Sequence, residues 1–288
     1  LDMNTTYYYR WMASNSVSPK AWSTALEEGI LAWWDFDDMG KPYTIDRVNS
    51  VKASFVGLAE SDRVFGRKGN GLSLGGAGEH LLSKNFKGVS GNKPRSVSVW
   101  IKTNDNQGSL LSWGSSGNGK LWELELSDGK LGLNVGGGRL EGNDLINDDI
   151  WHHLVVVFPS AGENLDNAVL FVDGEVQDSI ISGNPIIDTG EDFDFRIGTN
   201  SLGNHFSGIV DEARIYTREL SKNEVVSIFL DGTMIFTTSA VASPPVVELK
   251  SITAEANSSV RINGELVSLD LNNPTVRVYY GLVDGGFD

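Results

Sequence analysis

The fold of this chain is decided by the stretch Phe206-Ser-Gly-Ile-Val-Asp-Glu-Ala-Arg-Ile-Tyr-Thr-Arg-Glu-Leu-Ser221. Its first part alternates apolar and polar residues, and a period of two is typical of a half-buried strand. One face of this strand is predicted to carry Ile209, Ala213 and Ile215. The same alternation places Asp211 and Glu212 on opposite faces, so we do not expect these two carboxylates to act together.

A short helix is predicted directly after this strand. Ser221 and Glu224 have the spacing of a capping box, and Val225, Ile228 and Phe229 supply an apolar stripe that can pack on a sheet. We therefore expect the domain to close with a strand that carries acidic residues, followed by a helix.

The region from Gly29 to Gly232 is rich in short strand patterns and contains almost no other helical pattern. Asp128-Gly129 and Asp173-Gly174 are strong hairpin signals because glycine adopts positive φ at little cost. Many short strands with regular turns predict an all-β sandwich or jelly roll built from antiparallel sheets.

Composition excludes several classes of function. The chain has 288 residues, a formal net charge of -15 and no cysteine. The negative charge argues against nucleic acid and anionic membrane as partners, because phosphate binding needs a cationic surface. The absence of cysteine excludes disulfides, thiolate metal ligands and a cysteine nucleophile. No apolar run is long enough to predict membrane insertion.

Eight ordered blocks between residues 34 and 216 resemble the laminin-G-like, concanavalin A-like jelly roll. They are Trp34-Asp-Phe-Asp37, Gly69-Asn-Gly-Leu-Ser-Leu74, Ser96-Val-Ser-Val-Trp-Ile-Lys102, Leu110-Leu-Ser-Trp-Gly114, Trp151-His-His-Leu-Val-Val-Val157, Leu170-Phe-Val-Asp-Gly174, Arg196-Ile-Gly198 and Phe206-Ser-Gly-Ile-Val-Asp-Glu-Ala-Arg-Ile-Tyr216. The resemblance implies a sandwich of two antiparallel sheets. It is much less specific for function, because this fold hosts lectins, adhesins, binding modules and some glycosidases.

The two ends of the chain resemble pieces of fibronectin-III or immunoglobulin-like modules, of the kind found in bacterial surface proteins. The resemblance lies in Thr5-Thr-Tyr-Tyr-Tyr-Arg10, Arg261-Ile-Asn-Gly-Glu-Leu266 and Asn273-Pro-Thr-Val-Arg-Val-Tyr-Tyr-Gly281. It implies three segments: the last strands of one module (1–25), the jelly roll (26–236) and the first strands of a second module (237–288). We expect the two half-modules to pair, within the chain or between neighbouring chains, because each would otherwise expose a strand edge.

The resemblance also implies a structural calcium ion between the first and last strands of the jelly roll. Asp37 and Asp211 are its candidate ligands, since calcium prefers carboxylate and carbonyl oxygens. The alternative is that Asp211 only accepts hydrogen bonds from a nearby loop. A metal site at His152 and His153 is not predicted, because adjacent strand residues point to opposite faces.

Glu123 and Glu125 are two residues apart in a strand pattern and therefore share one face. Such a pair has the separation that a glycosidase needs. Enzymes of this architecture carry a motif that resembles Glu-x-Asp-x-Glu, whereas this chain has no third acid at Leu121 or Ser127. The pair is therefore interpreted as part of a polar, non-catalytic binding face.

Other candidate ligand-binding residues lie in predicted loops or strand ends. A sugar site combines an aromatic platform with amide, carboxylate and arginine partners. The residues that fit this description are Trp113, Asn118, Arg139, Asn143, Asn200, Asn204 and His205, and of these Trp113, Arg139, Asn204 and His205 are the main candidates.

We thus expect a non-catalytic carbohydrate-binding or adhesion module of a secreted or cell-surface protein, stabilised by calcium. Two other functions remain open at this stage: a spacer without ligand in a repeat array, and a polysaccharide-degrading glycosidase that uses Glu123 and Glu125.

Overall fold

The computed structural model describes residues 8–14, 26–230, 247–255, 259–266 and 275–281. Contacts divide the chain into two compact units. One is continuous, Leu26–Ile235, and the other combines Leu1–Ala25 with Phe236–Asp288.

Twenty-one strands are present in the described residues. In chain order they are β1 (Tyr8–Ser14), β2 (Ile30–Trp34), β3 (Tyr43–Ile45), β4 (Lys52–Val56), β5 (Arg63–Phe65), β6 (Asn70–Gly75), β7 (His80–Ser83), β8 (Arg95–Lys102), β9 (Gly108–Gly114), β10 (Leu121–Ser127), β11 (Lys130–Asn134), β12 (Arg139–Leu145), β13 (Trp151–Phe158), β14 (Val169–Val172), β15 (Glu175–Val176), β16 (Ile180–Ser182), β17 (Phe193–Ile197), β18 (Ser207–Tyr216), β19 (Val247–Glu255), β20 (Ser259–Leu266) and β21 (Thr275–Gly281). Helix α1 spans Lys222–Phe229, and two 3-10 helices span Glu60–Asp62 and Leu165–Asn167.

The continuous unit is a sandwich of two antiparallel sheets. The nine-stranded sheet has the order β16-β12-β11-β10-β9-β17-β7-β4-β3, and the eight-stranded sheet has the order β15-β14-β13-β8-β18-β6-β5, with β2 paired to β18. This arrangement confirms the predicted all-β jelly-roll fold. Strands distant in sequence, such as β9 and β17, lie side by side, so loops from different parts of the chain meet on each face.

The main core lies between the two sheets and contains several fully buried aromatic side chains. Trp34 stacks on Phe195 with a centroid separation of 4.9 Å, and Trp113 and Trp122 pack beside them. A second apolar cluster, which includes Val155 on β13 and Val225 on α1, lies apart from the main core. Burial of these large side chains outside water supplies the main stabilisation of the sandwich.

Helix α1 begins as the sequence predicts. Ser221 Oγ accepts a hydrogen bond from the Glu224 backbone N–H, and the Glu224 carboxylate accepts one from the Ser221 N–H at 2.9 Å. This reciprocal pair is a capping box, which satisfies backbone donors that the first helical turn leaves unpaired.

The regular alternation predicted for β18 is wrong at its middle. The pairing of β18 with β8 shifts register between Asp211 and Arg214, and Glu212 has a φ of 53°. This β-bulge inserts an extra residue, so Val210 and Ala213, three positions apart, both face the core. Asp211 and Glu212 are consequently both buried, and burial first, then the charge of Glu212, raises the pKa of Asp211.

In the second unit, the first and last described strands of the chain pair with each other. β1 and β21 run antiparallel, from Tyr8 opposite Gly281 to Ser14 opposite Thr275. β19 and β20 form a separate antiparallel pair. The two terminal segments therefore pair within one chain, and their assignment to fibronectin-III-like modules stays a prediction.

Candidate functional site

A row of polar side chains crosses the outer face of the nine-stranded sheet. Glu123 on β10 lies opposite Ser112 on β9 and Asn134 on β11, and the row continues to Arg139 on one side and Arg196 on the other. The neighbouring residues in each strand, such as Trp122 and Leu133, belong to the core cluster. Cross-strand partners share a face, so these five residues form one continuous row, which we name the polar row.

Glu123 is the buried centre of the polar row. Its carboxylate accepts hydrogen bonds from Asn134 Nδ2 at 3.1 Å and from Asn200 Nδ2 at 2.8 Å. Its side chain is fully buried, and this burial raises the pKa of the carboxyl group even though the hydrogen bonds partly offset the effect.

Glu125 lies on the same face as Glu123, as predicted, and is covered by an arginine. Arg139 Nε lies 2.7 Å from Glu125 Oε1. Burial, together with the charge of Glu123, raises the pKa of Glu125 to about 7 despite this ion pair. The Glu125 side chain is 4% exposed and that of Arg139 is 43% exposed, so the cation faces solvent and the carboxylate lies beneath it.

An open cleft of about 430 Å³ adjoins the polar row at Arg139. It is lined by Asn134, Gly137, Gly138, Arg139, Ser182 and Gly183. Its glycine walls are tightly packed: a Cβ at Gly137 would overlap the Asn118 side chain, and one at Gly183 would overlap the Gly137 carbonyl. Loops that interlock this closely hold a site in shape before a ligand arrives.

The loop between β17 and β18 contributes to the same face. Asn200, which contacts Glu123, also accepts hydrogen bonds through Oδ1 from the backbone N–H groups of Leu202 and Asn204. Predicted residues Asn204 and His205 therefore lie in the loop that contacts Glu123, and both are half-buried.

The prediction that Trp113 forms an aromatic platform for a sugar is wrong. Its side chain is fully buried, its ring packs against Trp122 and Phe195, and its Nε1 donates to the Val89 carbonyl at 3.0 Å. Trp113 alternates with Ser112 along β9 and faces the core, so it is not available to stack on a ligand. Sequence reasoning also missed Ser112, Asn134 and Arg196, which become neighbours of Glu123 only through strand pairing.

Asp37 and Asp211 meet at one loop, residues 66–70, at the edge of the eight-stranded sheet. The Asn70 N–H donates to Asp37 Oδ1 at 2.7 Å, and the Lys68 N–H donates to Asp211 Oδ2 at 2.8 Å. Asp211 also accepts from the Glu212 N–H at 2.7 Å. Burial first, and then the charges of Glu212 and Asp37, raise the pKa of Asp211 to about 8.

These residues fit a calcium ion in part. Burial is the main cause of the raised pKa of Asp211, and the charges of Glu212 and of the half-buried Asp37 add to it, so a cation would offset this repulsion. Among the described residues, however, no group of three or more histidine, aspartate or glutamate side chains is arranged to hold an ion. A bound calcium would need backbone carbonyl oxygens or water as its other ligands.

His152 and His153, adjacent on β13, have different hydrogen-bond partners. His152 bonds to Asp173 at 2.7 Å and to Asp148 at 3.0 Å, whereas His153 Nε2 lies 2.8 Å from Ser98 Oγ. Complete burial lowers the pKa of His153 to about 3, so this ring is neutral at physiological pH.

Fold and site together define a jelly-roll sandwich of two antiparallel sheets with a polar outer face and an open cleft. Laminin_G_3, described as the concanavalin A-like lectin/glucanases superfamily, is the family whose sequence pattern matches residues 75–226. That range is more than half of the 288 residues. The chain belongs to this family. No curated protein sequence matches the chain.

Several solved structures have a similar fold. The binding domain of Paraclostridial Mosquitocidal Protein 1 is 16% identical with a TM-score of 0.55, over 72% of this chain and 53% of that one. Domain 4 of AbnA, a GH43 extracellular arabinanase from Geobacillus stearothermophilus in complex with arabinotriose, is 20% identical with a TM-score of 0.50, over 69% and 98%. A mutant Trypanosoma rangeli sialidase displaying trans-sialidase activity is 18% identical with a TM-score of 0.54, over 78% and 37%.

These identities show a shared fold. The chain spans about half of the toxin binding domain and about a third of the sialidase. In the part of this chain that the structure describes, no helix is long and apolar enough to cross a membrane.

Proposed function

We propose that this protein is a non-catalytic carbohydrate-binding or adhesion module of a secreted or cell-surface protein. The observation that carries the proposal is the polar row that leads into the cleft at Arg139. Sugar sites are concave surfaces in which a few fixed polar groups set the orientation of the ligand. Family membership and the arabinotriose complex of the similarly folded AbnA domain support the assignment.

The burial of the two glutamates favours binding over catalysis. Glu123 is fully buried and Glu125 is 3% exposed, and both are engaged by neighbouring asparagine or arginine side chains. A glycosidase needs carboxyl groups that reach the glycosidic oxygen and the anomeric carbon. In this arrangement the carboxylates instead orient Asn134 and Arg139 toward the cleft.

We assign calcium a structural role at Asp37 and Asp211. An ion there would join the segment after β2 to β18, strands that are far apart in sequence and paired in the sheet. The hard oxygen donors and the accumulated negative charge support this assignment.

A glycan array tests the binding proposal. The wild type is compared with Arg139→Ala and Asn134→Ala in calcium and again after chelation, with Lys222→Ala as the matched control because Lys222 pairs with Glu175 and does not line the cleft. We expect binding that both cleft variants lose and the control retains. Binding that survives both cleft substitutions would move the site elsewhere, and no binding by any protein would favour a spacer.

A further inference from the structure

Arg139 lines the cleft and forms an ion pair with Glu125, which lies beneath it, and the two side chains differ in exposure. Arg139 is ten times more exposed than its partner Glu125, with 43% against 4% of the side chain accessible. Arg139 Nη1 also donates a hydrogen bond to Ser127 Oγ at 3.2 Å. Ser127 Oγ in turn donates to the Glu141 carboxylate at 3.0 Å. The guanidinium is thus held in place from below while its outer side faces the cleft.

A guanidinium presented in this way matches a carboxylate. Its planar fork forms two parallel hydrogen bonds to a carboxylate, a geometry that a sugar hydroxyl does not reproduce. The other lining residues are three glycines, Asn134 and Ser182, so Arg139 is the one charged residue among the described residues that line the cleft. The net charge of -15 opposes an anionic ligand at long range, but salt screens this repulsion beyond about 8 Å at physiological ionic strength.

A ligand carboxylate at Arg139 would compete with Glu125 for the same cation. Glu125 sits among other charges: Glu123 on its own strand, Glu141 and Arg139 on β12, and Lys130 on β11, which pairs with Glu141 at 3.6 Å. Ser109 on β9 and Gly132 on β11 are its uncharged strand partners. Two carboxylates on one guanidinium repel each other. The buried carboxylate is the one that takes up a proton more readily, because burial disfavours its charged form.

We propose that the cleft binds a carboxylate-bearing glycan, such as a uronic acid chain, through Arg139, and that Glu125 takes up one proton from solvent when the glycan binds. This proposal rests on the proposed carbohydrate-binding function and specifies the ligand class of the same site. Protonated Glu125 releases Arg139 to the ligand and can remain buried without charge. The raised pKa of Glu125, about 7, puts this exchange within the physiological pH range.

Binding should therefore strengthen as the pH falls. With Glu125 titrating near 7, the protonated fraction drops about ten-fold between pH 6 and pH 8, and affinity for the acidic glycan should drop by the same factor. A neutral glycan has no carboxylate that competes with Glu125 for Arg139, so its affinity should change little over this pH range.

The experiment is isothermal titration calorimetry with oligogalacturonate and with the same oligomer after carboxyl reduction, at pH 6, 7 and 8. We expect the acidic oligomer to bind about ten-fold more tightly at pH 6 than at pH 8, with proton uptake detected by comparing buffers of different ionisation enthalpy. Glu125→Gln should bind it independently of pH, and Arg139→Lys should weaken it at every pH. Glu175→Gln, in a remote exposed ion pair, is the matched control.

The outcomes separate the inference from the function on which it rests. Equal binding of both oligomers, or acidic binding without proton uptake, would overturn the inference and leave carbohydrate binding intact. If neither oligomer binds but other glycans bind on an array, the ligand class is wrong. If Glu125→Gln fails to fold, the proton uptake of the wild type still decides the question.

Discussion

Two pairs of carboxylates lie in different parts of the sandwich and have different partners; Asp211, Glu123 and Glu125 are buried and Asp37 is half-buried. Asp37 and Asp211 accept hydrogen bonds from the backbone of one loop, whereas Glu123 and Glu125 are held by asparagine and arginine side chains. Burial is the main reason that the pKa of Asp211 rises to about 8 and that of Glu125 to about 7. Asp211 and Glu125 are thus both buried, but their hydrogen-bonding and charged neighbours differ.

The difference bears on what each pair can do. Backbone N–H groups are fixed by the fold, so the hydrogen bonds to Asp37 and Asp211 tie these carboxylates to residues 66–70. The partner of Glu125 is a half-exposed side chain, Arg139, that a ligand can engage without unfolding a loop. The first pair is thus suited to stability and the second to reversible binding.

The largest expected effect comes from crowding the first pair. Gly69 has a φ of +64°, and a Cβ there would overlap the Asp37 carboxylate. We expect Gly69→Ala to destabilise the protein by about 2–5 kcal/mol, because positive φ and overpacking both disfavour it. Chemical denaturation measures the change in unfolding free energy.

Gly40→Ala is the matched control for that substitution. Gly40 has a φ of +77°, and nothing lies within 4 Å of an added Cβ, so only the backbone term of about 1–2 kcal/mol applies. Equal losses in the two variants would contradict the close packing of the loop on Asp37.

Calcium provides the second test. At pH 8 and at a calcium concentration 100 times the dissociation constant, the wild type should gain about 2.7 kcal/mol. Asp211→Asn should gain none, because the amide removes a charged ligand. Differential scanning calorimetry with calcium and with a chelator measures both, and the same gain in the variant would remove Asp211 from the metal site.

The pH dependence without calcium has a defined sign. The folded pKa of Asp211, about 8, lies above the ordinary aspartate value of 3.8. The protonated carboxyl is therefore favoured in the folded state, and stability is greatest below about pH 4 and is lost as the pH rises through 8. Asp211→Asn should lack this loss, and a wild type that is equally stable at pH 5 and pH 8 would contradict the raised pKa.

Much of the fold could be predicted from local sequence. The period of two in β18 and the capping box at Ser221 depend on neighbours in the chain, and the structure confirms the strand and the helix. The bulge at Asp211 could not be predicted in the same way, because it depends on how β18 pairs with β8. The period-two pattern therefore could not predict that the adjacent residues Asp211 and Glu212 are both buried.

The candidate site was predictable only in its parts. The spacing of Glu123 and Glu125 correctly placed both on one face, and Arg139 was named from its residue type. Which residues stand beside them depends on strand register, so Asn134 as the partner of Glu123 was not visible. The prediction for Trp113 was wrong because the residue type alone does not show which face of β9 the ring occupies, and the ring in fact faces the core.

Removing the second carboxylate should give a smaller effect that changes with pH. The pKa of Glu125 rises from the ordinary glutamate value of 4.5 to about 7, so its contribution to stability is present below about pH 4.5 and is lost as the pH rises through 7. Glu125→Gln should remove about 2 kcal/mol of this loss between pH 5 and pH 8. Denaturation curves at both pH values measure it, and parallel losses in the variant and the wild type would contradict the raised pKa.

The smallest expected effect is on Arg139, and it separates the two pairs most directly. Above pH 7, Arg139→Gln leaves the Glu125 carboxylate buried without its cation, so we expect a loss of about 1 kcal/mol. Below pH 6 the carboxyl is protonated and the loss should approach zero, because a neutral acid needs no counter-charge. The unfolding free energy at pH 5.5 and pH 8 checks this, with Lys222→Gln as an exposed control. A loss that is the same at both pH values would mean that Arg139 stabilises the sheet by packing rather than by its charge. The surroundings of Glu123 and Glu125 would then be as permanent a part of the fold as those of Asp37 and Asp211.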